Sequence, residues 1–144
     1  MINITSNTIT PEVSELLSYA TSEAKIVNIY EKYVKFSDHV LYGFEYGKLI
    51  VGCIGIKLLG RDKIEIAHIA VSPNVRGNRI GSKMIEFICN EHSPRILYAE
   101  TDNDAVDFYK KFGFKITNLG EKYPGVERFL CEYEITQQKG AILK

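Results

Sequence analysis

Residues 69–82 read Ile-Ala-Val-Ser-Pro-Asn-Val-Arg-Gly-Asn-Arg-Ile-Gly-Ser, and this stretch contains the change of pattern that decides the fold. Its first three residues end a run rich in β-branched side chains, and Pro73 then removes a donor from any strand ladder. Apolar residues at helical spacing begin at Ile80. The stretch therefore predicts a strand, a short loop and the first turn of a helix.

The loop in this stretch has the features of an anion cradle. The N-terminus of a helix exposes unpaired N–H groups and the positive end of the helix dipole, which both suit a phosphate. Gly77 and Gly81 have no Cβ, so an anion can approach the backbone closely, and Arg76 and Arg79 add positive charge. The segment predicts a pyrophosphate-binding loop, and a surface loop with two solvated arginines is the alternative. Two familiar nucleotide motifs, G-x-x-x-x-G-K-[ST] and G-x-G-x-x-G, do not occur here.

The chain before this loop predicts two helices and then an antiparallel meander. Ile2 and Ile4 alternate with polar residues and suggest a short first strand, and Thr10-Pro11-Glu12 supplies a cap and a first helical turn. A second helix follows Thr21 or Ser22. The pattern then changes to period two in three segments joined by turns at Gly47 and Gly60–Lys63, namely 39–46, 48–59 and 64–71.

The chain after the loop predicts a helix, a strand, a second helix and two strands. The strand is 95–101, Asp102 or Asn103 caps the next helix, and Gly113 ends it. The last two strands are expected at 114–117 and 127–135, joined by a loop that contains Tyr123-Pro124-Gly125. The whole pattern predicts an α+β fold that occupies residues 1–144 as a single domain.

Composition excludes several classes of protein. The chain has 144 residues, 45% of them apolar, and its 18 basic and 18 acidic side chains balance, which argues against disorder and against a nucleic-acid binder. The longest uncharged apolar run, 49–56, is far shorter than the ~20 residues of a membrane-spanning helix, so no membrane is expected as a partner. No secretory signal is evident, and three isolated cysteines favour free thiols in a reducing compartment, so a cytoplasmic location is predicted. No Cys/His cluster predicts a metal, and His39 and His92 are interpreted as surface or structural residues.

Two blocks of the sequence resemble one known family. The segment 76–81, Arg-Gly-Asn-Arg-Ile-Gly, resembles the [QR]-x-x-G-x-[GA] acyl-CoA signature of the GNAT superfamily of N-acetyltransferases, and 69–73 is similar to its fourth strand. The segment 103–114 resembles the family's N-x-x-A-x-x-F-Y-x-K-x-G-F block. The resemblance implies a mixed, mostly antiparallel sheet of about six to seven strands, flanked by about four helices and splayed between the fourth and fifth strands.

The resemblance also implies a binding mode for acetyl-CoA, the expected cosubstrate, with no metal. In the family this molecule lies between the fourth and fifth strands, so the main chain of Ile69 and Val71 is expected to pair with the pantetheine arm. Asn103 matches an asparagine that commonly contacts the cosubstrate. The phosphates are expected to lie against Arg76, Gly77, Asn78, Arg79, Ile80, Gly81 and Ser82.

Arg79 departs from the family pattern, because glycine usually stands at this position. The backbone N–H of an arginine still donates, but its Cβ must be accommodated beside the pyrophosphate. The guanidinium, in turn, can fold onto a phosphate. The sequence leaves the effect on affinity open.

The chemistry of amine acetylation calls for a base and an acid. An alkylamine of pKa ~10.4 is almost entirely protonated at pH 7, and a leaving thiolate gains from a proton donor. Developing charge on the thioester oxygen also needs a donor, for which the N–H of Val71 is a candidate. Tyr109 matches the tyrosine of the family's F-Y pair and is the candidate general acid.

The general base has several candidates. Glu65 stands in a register similar to the glutamate of histone acetyltransferases in this superfamily, and His68 is the alternative. Their odd separation predicts opposite faces of the strand unless a bulge reverses the parity. Glu100 is a third option, and deprotonation through ordered water is a fourth.

The sequence therefore predicts an N-acetyltransferase that moves an acetyl group from acetyl-CoA directly to a primary amine. The acceptor is a small molecule or a protein or peptide, and specificity is expected in variable loops and in the N-terminal helices. The alternatives are a CoA-binding regulatory module without turnover and a transferase that uses another acyl-CoA. A homodimer is common in the family, although no strand here marks such an interface.

Overall fold

Seven strands and four helices make up the computed structural model, which describes residues 1–5 and 9–135. Short 3₁₀ turns at Glu23–Lys25 and Pro73–Val75 precede the second and third helices. In chain order the elements are β1 (Ile2–Asn3), α1 (Pro11–Ser18), α2 (Ile26–Lys35), β2 (His39–Tyr46), β3 (Leu49–Leu59), β4 (Lys63–Val71), α3 (Ile80–His92), β5 (Ile96–Thr101), α4 (Val106–Phe112), β6 (Lys115–Tyr123) and β7 (Val126–Glu134).

The strands are hydrogen-bonded in the order β1-β2-β3-β4-β5-β7-β6, which makes the sheet mixed. The pairs β1–β2, β2–β3, β5–β7 and β7–β6 are antiparallel, whereas β4 and β5 are parallel. The parallel ladder joins only Lys63–Glu65 to Ile96–Tyr98, so it stops well before β4 ends at Val71. The predicted α+β architecture with a splay between the fourth and fifth strands is confirmed.

The chain forms two compact units, and the first comprises Met1–Leu58 with Ile66–Ser93. On one side of its strands α1 and α2 pack against Leu41, Cys53 and Ala70. On the other side a Cβ at Gly52 would lie 3.2 Å from Ile80 and 3.3 Å from Met84 of α3. Since neighbouring strand residues point to opposite faces, β3 separates α3 from the pair α1–α2.

The second unit comprises Leu59–Glu65 and the chain from Pro94 onwards. Its core contains Leu97, Ala99 and Cys131, all nearly inaccessible to solvent. Helix α4 adds an aromatic cluster in which neighbouring ring centroids lie 5.1–5.6 Å apart, formed by Phe108, Tyr109, Phe112, Phe114 and Tyr133. The hydrophobic effect and edge-to-face ring contacts both stabilise such a cluster.

Two predicted helix-end signals are confirmed, one at the start of α1 and one at the end of α4. Thr10 accepts a hydrogen bond from the N–H of Val13 at 3.3 Å, and Pro11 begins α1. Gly113 ends α4 with φ +123°. Asp102 accepts from the N–H groups of Asp104 and Ala105 in the turn before α4, but the helix begins at Val106 without a side-chain cap, so the prediction that Asp102 or Asn103 caps it is wrong. Thr10 satisfies a helix-end N–H that would otherwise lack a partner.

The last two strands differ from the prediction. The residues predicted as a loop between 117 and 127 instead extend β6 to Tyr123 and start β7 at Val126, with Pro124 and Gly125 in a tight turn. Strand β6 is the edge of the sheet, and its residues from Thr117 to Leu119 are exposed and mostly polar. Register shifts in the β6–β7 pair break the alternation further, so no period-two pattern was available to mark the strand.

Among the described residues, none of the helices combines the length and the apolar character needed to cross a bilayer.

Candidate functional site

The segment between β4 and α3 folds as a short, internally bonded loop. The N–H of Ser72 donates to the carbonyl of Val51 at 2.8 Å, which holds the end of β4 against β3. The amide of Asn78 donates to the carbonyl of Val75 at 2.9 Å and closes the turn that follows. Helix α3 then begins at Ile80. The predicted sequence of strand, loop and helix start is confirmed.

Two residues of this loop have left-handed backbone conformations. Gly77 has φ +91° and Arg79 has φ +60°, and Arg79 immediately precedes α3. A Cβ on Gly77 would meet nothing within 4 Å, so the backbone angle, not the space, favours glycine there. Arginine has no such freedom, and its left-handed conformation costs about 1–2 kcal/mol. The loop therefore stores strain at the position where the family usually has glycine.

The two loop arginines are used differently. Arg76 donates from Nε to the carbonyl of Val71 at 2.9 Å, and its guanidinium lies 5.3 Å from the ring centroid of Tyr19 at the end of α1. The side chain of Arg79 is 70% exposed and lies 3.7 Å from Glu86, an ion pair that contributes little at such exposure. Arg76 thus ties the loop to the protein, whereas Arg79 extends into solvent.

The other residues predicted to bind the phosphates present their main chain. The side chain of Ile80 is buried against β3, so only its backbone is available to a ligand. Gly81 and Ser82 follow in the first turn of α3 and are half-buried, and Ile69 and Val71 are half-buried on β4. These residues, Arg76–Arg79 and His68 all belong to the first unit, whereas Glu65, Asn103 and Tyr109 belong to the second.

His68 is held by a tyrosine of α2. Its Nδ1 lies 2.6 Å from the hydroxyl oxygen of Tyr33, and the two rings meet edge to face at 5.8 Å. Burial lowers the pKa of His68 to about 4, and positive charge at His39 and Lys32 lowers it further. The imidazole is therefore neutral at physiological pH.

Glu65 has a tyrosine partner of its own in the second unit. The hydroxyl of Tyr98 donates to Oε1 of Glu65 at 3.2 Å, and the ammonium of Lys63 lies 4.8 Å from the Tyr98 ring centroid. Burial raises the pKa of the Tyr98 hydroxyl, and the charge of Glu65 raises it further. The phenol therefore stays protonated and can donate to the carboxylate.

Glu100, the third candidate base, is held in ion pairs. Lys122 and Arg128 lie 3.3 Å and 3.2 Å from its carboxylate. Burial raises the pKa of Glu100, but hydrogen bonds from Arg128 and Lys122 outweigh that effect and leave the pKa below its ordinary value. This carboxylate is therefore a poor proton acceptor at neutral pH.

Tyr109, the candidate acid, is 4% exposed and packs edge to face between Phe108 and Phe114. Burial raises the pKa of its hydroxyl above the ordinary tyrosine value, and the nearby Cys131 raises it further. Desolvation disfavours the phenolate, so Tyr109 carries its proton throughout the physiological range.

Asn103 is exposed before α4, where its amide donates to Glu127 at 3.5 Å. The other carboxylate oxygen of Glu127 accepts from Asn118 at 3.0 Å.

The described residues contain no group of three or more His, Cys, Asp or Glu side chains suited to a metal ion. Sequence reasoning did not anticipate Tyr33 and Tyr98 as partners of the two candidate bases, because both look like ordinary apolar-face residues of their elements.

Comparison with known proteins points to one family. A family model described as an acetyltransferase (GNAT) domain matches residues 37–116, more than half of the chain. No curated protein shows significant sequence similarity to the chain.

Several solved structures share the fold. A GNAT family acetyltransferase from Elizabethkingia anophelis with acetyl-CoA bound superposes with a TM-score of 0.70 at 23% identity, over 92% of this chain and 95% of that one. An aminoglycoside 6'-N-acetyltransferase complexed with coenzyme A gives 0.76 at 17% identity, over 94% and 98%. The aminoglycoside 6'-N-acetyltransferase from Enterococcus faecium gives 0.74 at 18% identity, also over 94% and 98%.

Proposed function

This chain belongs to the GNAT acetyltransferase family, and we propose that it transfers an acetyl group from acetyl-CoA to a primary amine of a small molecule or of a protein or peptide. The observation that carries this proposal is the loop between β4 and α3. Its backbone turns twice through left-handed conformations, at Gly77 and Arg79, directly before the first turn of α3. Such a turn presents successive N–H groups at a helix N-terminus, an arrangement suited to a diphosphate.

The proposed binding uses main-chain groups of one continuous segment. The N–H groups between Arg76 and Ser82 would hold the diphosphate, and the edge of β4 at Ile69 and Val71 would pair with the pantetheine arm. Arg79 supports this assignment with an exposed guanidinium that is free to turn toward a phosphate. Asn103 is proposed as a further contact on the strength of its match to the family's asparagine.

The transfer itself exchanges one bond for another. The neutral amine attacks the thioester carbonyl, the C–N bond forms, and the C–S bond breaks to leave the coenzyme thiolate. The amine nitrogen loses a proton to a base, for which Glu65 and His68 are the candidates, and the thiolate gains a proton from Tyr109. The N–H of Val71 is proposed to stabilise the oxyanion.

The acceptor is tested across several classes of primary amine. Two of the similar structures are aminoglycoside 6'-N-acetyltransferases, so aminoglycosides belong in the first set of amines to be tested. Polyamines, lysine-containing peptides and peptides with a free N-terminus complete the set. Acetyl-, propionyl- and succinyl-CoA should be compared as donors.

The proposal is tested by titration calorimetry with CoA, followed by a thiol-release assay with acetyl-CoA and the amine set. We expect CoA to bind and at least one amine to release thiol above the rate of acetyl-CoA hydrolysis. In NMR spectra, saturating CoA should shift the amide signals of residues 76–82. Unmoved signals would contradict the binding site, and binding without thiol release for any amine would favour a regulatory module.

Tyr109→Phe tests the proton donor. Because the phenol acts on the leaving thiolate and not on the bound ground state, we expect kcat to fall about 100-fold while the acetyl-CoA dissociation constant changes less than about twofold. Tyr133→Phe, which removes a hydroxyl from the same aromatic cluster, is the matched control and should retain activity. Equal losses of binding and turnover in Tyr109→Phe would assign the residue to packing.

A further inference from the structure

The contact between Tyr33 and His68 depends on a gap in β3. Tyr33 is 4% exposed, yet its hydroxyl reaches Nδ1 of His68 at 2.6 Å across the face of β3. A Cβ built on Gly55 would overlap the Tyr33 hydroxyl and the adjacent ring carbon. No other residue type at position 55 leaves room for this arrangement.

A glycine inside a strand carries a cost. It weakens the strand by about 0.5–1 kcal/mol relative to alanine, because it gains no side-chain contacts and loses more backbone freedom on folding. Gly55 lies in the middle of β3, opposite Leu41 of β2, and its φ lies outside the left-handed region. The absence of a Cβ is therefore needed for close approach and not for backbone conformation.

We propose that Tyr33 is a positioning residue that presents His68 as the proton acceptor for the attacking amine. This inference rests on the proposed acetyltransferase function and decides between its two candidate bases. Nδ1–H of His68 donates to the hydroxyl oxygen of Tyr33, which leaves the lone pair on Nε2 for the substrate. When the amine nitrogen has formed its bond to the thioester carbon, its proton passes to Nε2, and the imidazolium keeps Tyr33 as the acceptor for Nδ1–H.

The surroundings of His68 suit a neutral acceptor. His68 precedes Ile69–Val71 on the same strand and in the same compact unit. Tyr33 contacts it from α2, and the charges of Lys32 on α2 and His39 on β2 act on it electrostatically. Nδ1 of His39 is hydrogen-bonded to Oδ1 of Asp38 at 2.8 Å, and the rings of His39 and Tyr33 meet edge to face with their centroids 5.9 Å apart. Burial above all, with smaller contributions from the charges of His39 and Lys32, lowers the pKa of His68 to about 4, so its lone pair is available throughout the neutral range.

The weak basicity of His68 fits the step at which it acts. An imidazole with a pKa of about 4 cannot deprotonate a free alkylammonium efficiently. A nitrogen that has just bonded to the thioester carbon is more acidic than a free alkylammonium, because that carbon bears electron-withdrawing oxygen and sulfur atoms. When this nitrogen loses its proton, its lone pair also conjugates with the carbonyl of the new amide. His68 is therefore placed as the acceptor for the proton that the attack itself releases.

The first test is spectroscopic and needs no activity. In ¹⁵N-labelled full-length protein, His68 should show a protonated Nδ1 and an unprotonated Nε2 at pH 7. Tyr33→Phe should produce a mixture of tautomers, whereas Tyr42→Phe should leave His68 unchanged. Tyr42 is the matched control because its hydroxyl lies 2.9 Å from Nε2 of another histidine, His92, in the same unit. A protonated Nε2 on His68 in the wild-type protein would overturn the proposal, because that atom then has no lone pair.

The second test is kinetic. A general base contributes about 10²–10⁴-fold, and loss of the partner that fixes its tautomer removes part of this, so Tyr33→Phe should lower kcat about 10- to 100-fold while KM for acetyl-CoA stays within about twofold. His68→Gln should lower kcat at least as much, and the double variant should be no worse than His68→Gln alone. Tyr98→Phe and Glu65→Gln give the parallel test of the other candidate base.

The outcomes separate the two proposals. Failure of the wild-type protein to bind CoA or release thiol would remove the acetyltransferase proposal itself. Normal turnover in Tyr33→Phe and His68→Gln, or a loss confined to Tyr98→Phe and Glu65→Gln, would overturn only the role of Tyr33 and His68. A fall in kcat with an unchanged thermal midpoint in Tyr33→Phe, together with the tautomer change, would support it.

Discussion

Arg79 has a backbone conformation that is unfavourable for its residue type. Its φ of +60° lies in a region that arginine rarely adopts, and its exposed side chain forms an ion pair with Glu86. An ion pair at such exposure contributes little and does not offset the backbone strain. The proposed contact of the guanidinium with a phosphate would give the residue a role other than stabilising the fold.

Replacing Arg79 separates the backbone effect from the charge effect. Arg79→Gly removes both the strain and the guanidinium, and we expect the free energy of unfolding in urea to rise by about 1 kcal/mol. Arg79→Ala removes the guanidinium but keeps the Cβ, so its stability should stay near that of the wild type. Both variants should bind CoA more weakly by a similar factor. Equal free energies of unfolding for the two variants would show that the backbone of Arg79 is not strained.

Arg76 contacts a residue that is distant in the sequence. The signature predicts a residue that binds phosphates, and its positive charge agrees with that role. In the fold its Nε donates to the carbonyl of Val71 and its guanidinium lies over Tyr19. Tyr19 is distant in sequence, so no local pattern contains this contact.

At the scale of elements, α3 positions the loop because its first turn lies directly on β3. The contact is close at Gly52, where a Cβ would lie 3.2 Å from Ile80 and 3.3 Å from Met84. Ile80 is both a core residue and the first residue after the left-handed Arg79. The position of the loop is thus set by how closely a helix and a strand can pack.

Gly52→Val tests this dependence. Extra methyl groups at a filled contact cost about 1–3 kcal/mol, and here they push α3 away from β3. We expect a lower midpoint in thermal unfolding and a weaker CoA affinity measured by calorimetry. Leu49→Val is the control on the same strand, because Leu49 is 61% exposed, and it should change neither quantity. Unaltered CoA binding in a destabilised Gly52→Val would show that α3 does not set the loop.

The edge hairpin β6–β7 shows why some elements escape prediction. A half-buried strand is recognised in a sequence by the alternation of apolar and polar residues. Strand β6 lacks this alternation because it lies at the edge of the sheet and is mostly exposed. It also contains Gly120 at φ +80°, within an irregular register. Its residues form a strand because β7 supplies hydrogen-bond partners. That partnership is absent from any local window of sequence.

At the scale of the whole molecule, the burial of His68 makes folding sensitive to acid. Its pKa is 6.5 in the unfolded chain and about 4 in the folded protein, so the unfolded state takes up a proton first as the pH falls. The stability that depends on a neutral His68 is complete above pH 6.5 and is lost progressively toward pH 4. The difference between the two pKa values corresponds to about 3 kcal/mol.

The acid sensitivity is measured by urea unfolding between pH 7.5 and pH 4. We expect the wild-type protein to lose about 3 kcal/mol more than His68→Gln over this range. Parallel curves for the wild type and His68→Gln would show that His68 titrates normally in the folded state.

The sequence by itself determined the order of the elements, the loop between β4 and α3, and the family to which the chain belongs. These properties depend on periodicity, on caps such as Thr10 and on short motifs, all of which act through neighbours along the chain. Only the tertiary structure decided that Tyr33 is hydrogen-bonded to His68 where Gly55 leaves room for its ring, and that Tyr98 is hydrogen-bonded to Glu65. The physical reason is that a hydrogen bond between distant elements depends on which faces pack together and how closely. The sequence pattern reflects interactions between residues that are near one another along the chain, and these interactions do not determine contacts between distant elements.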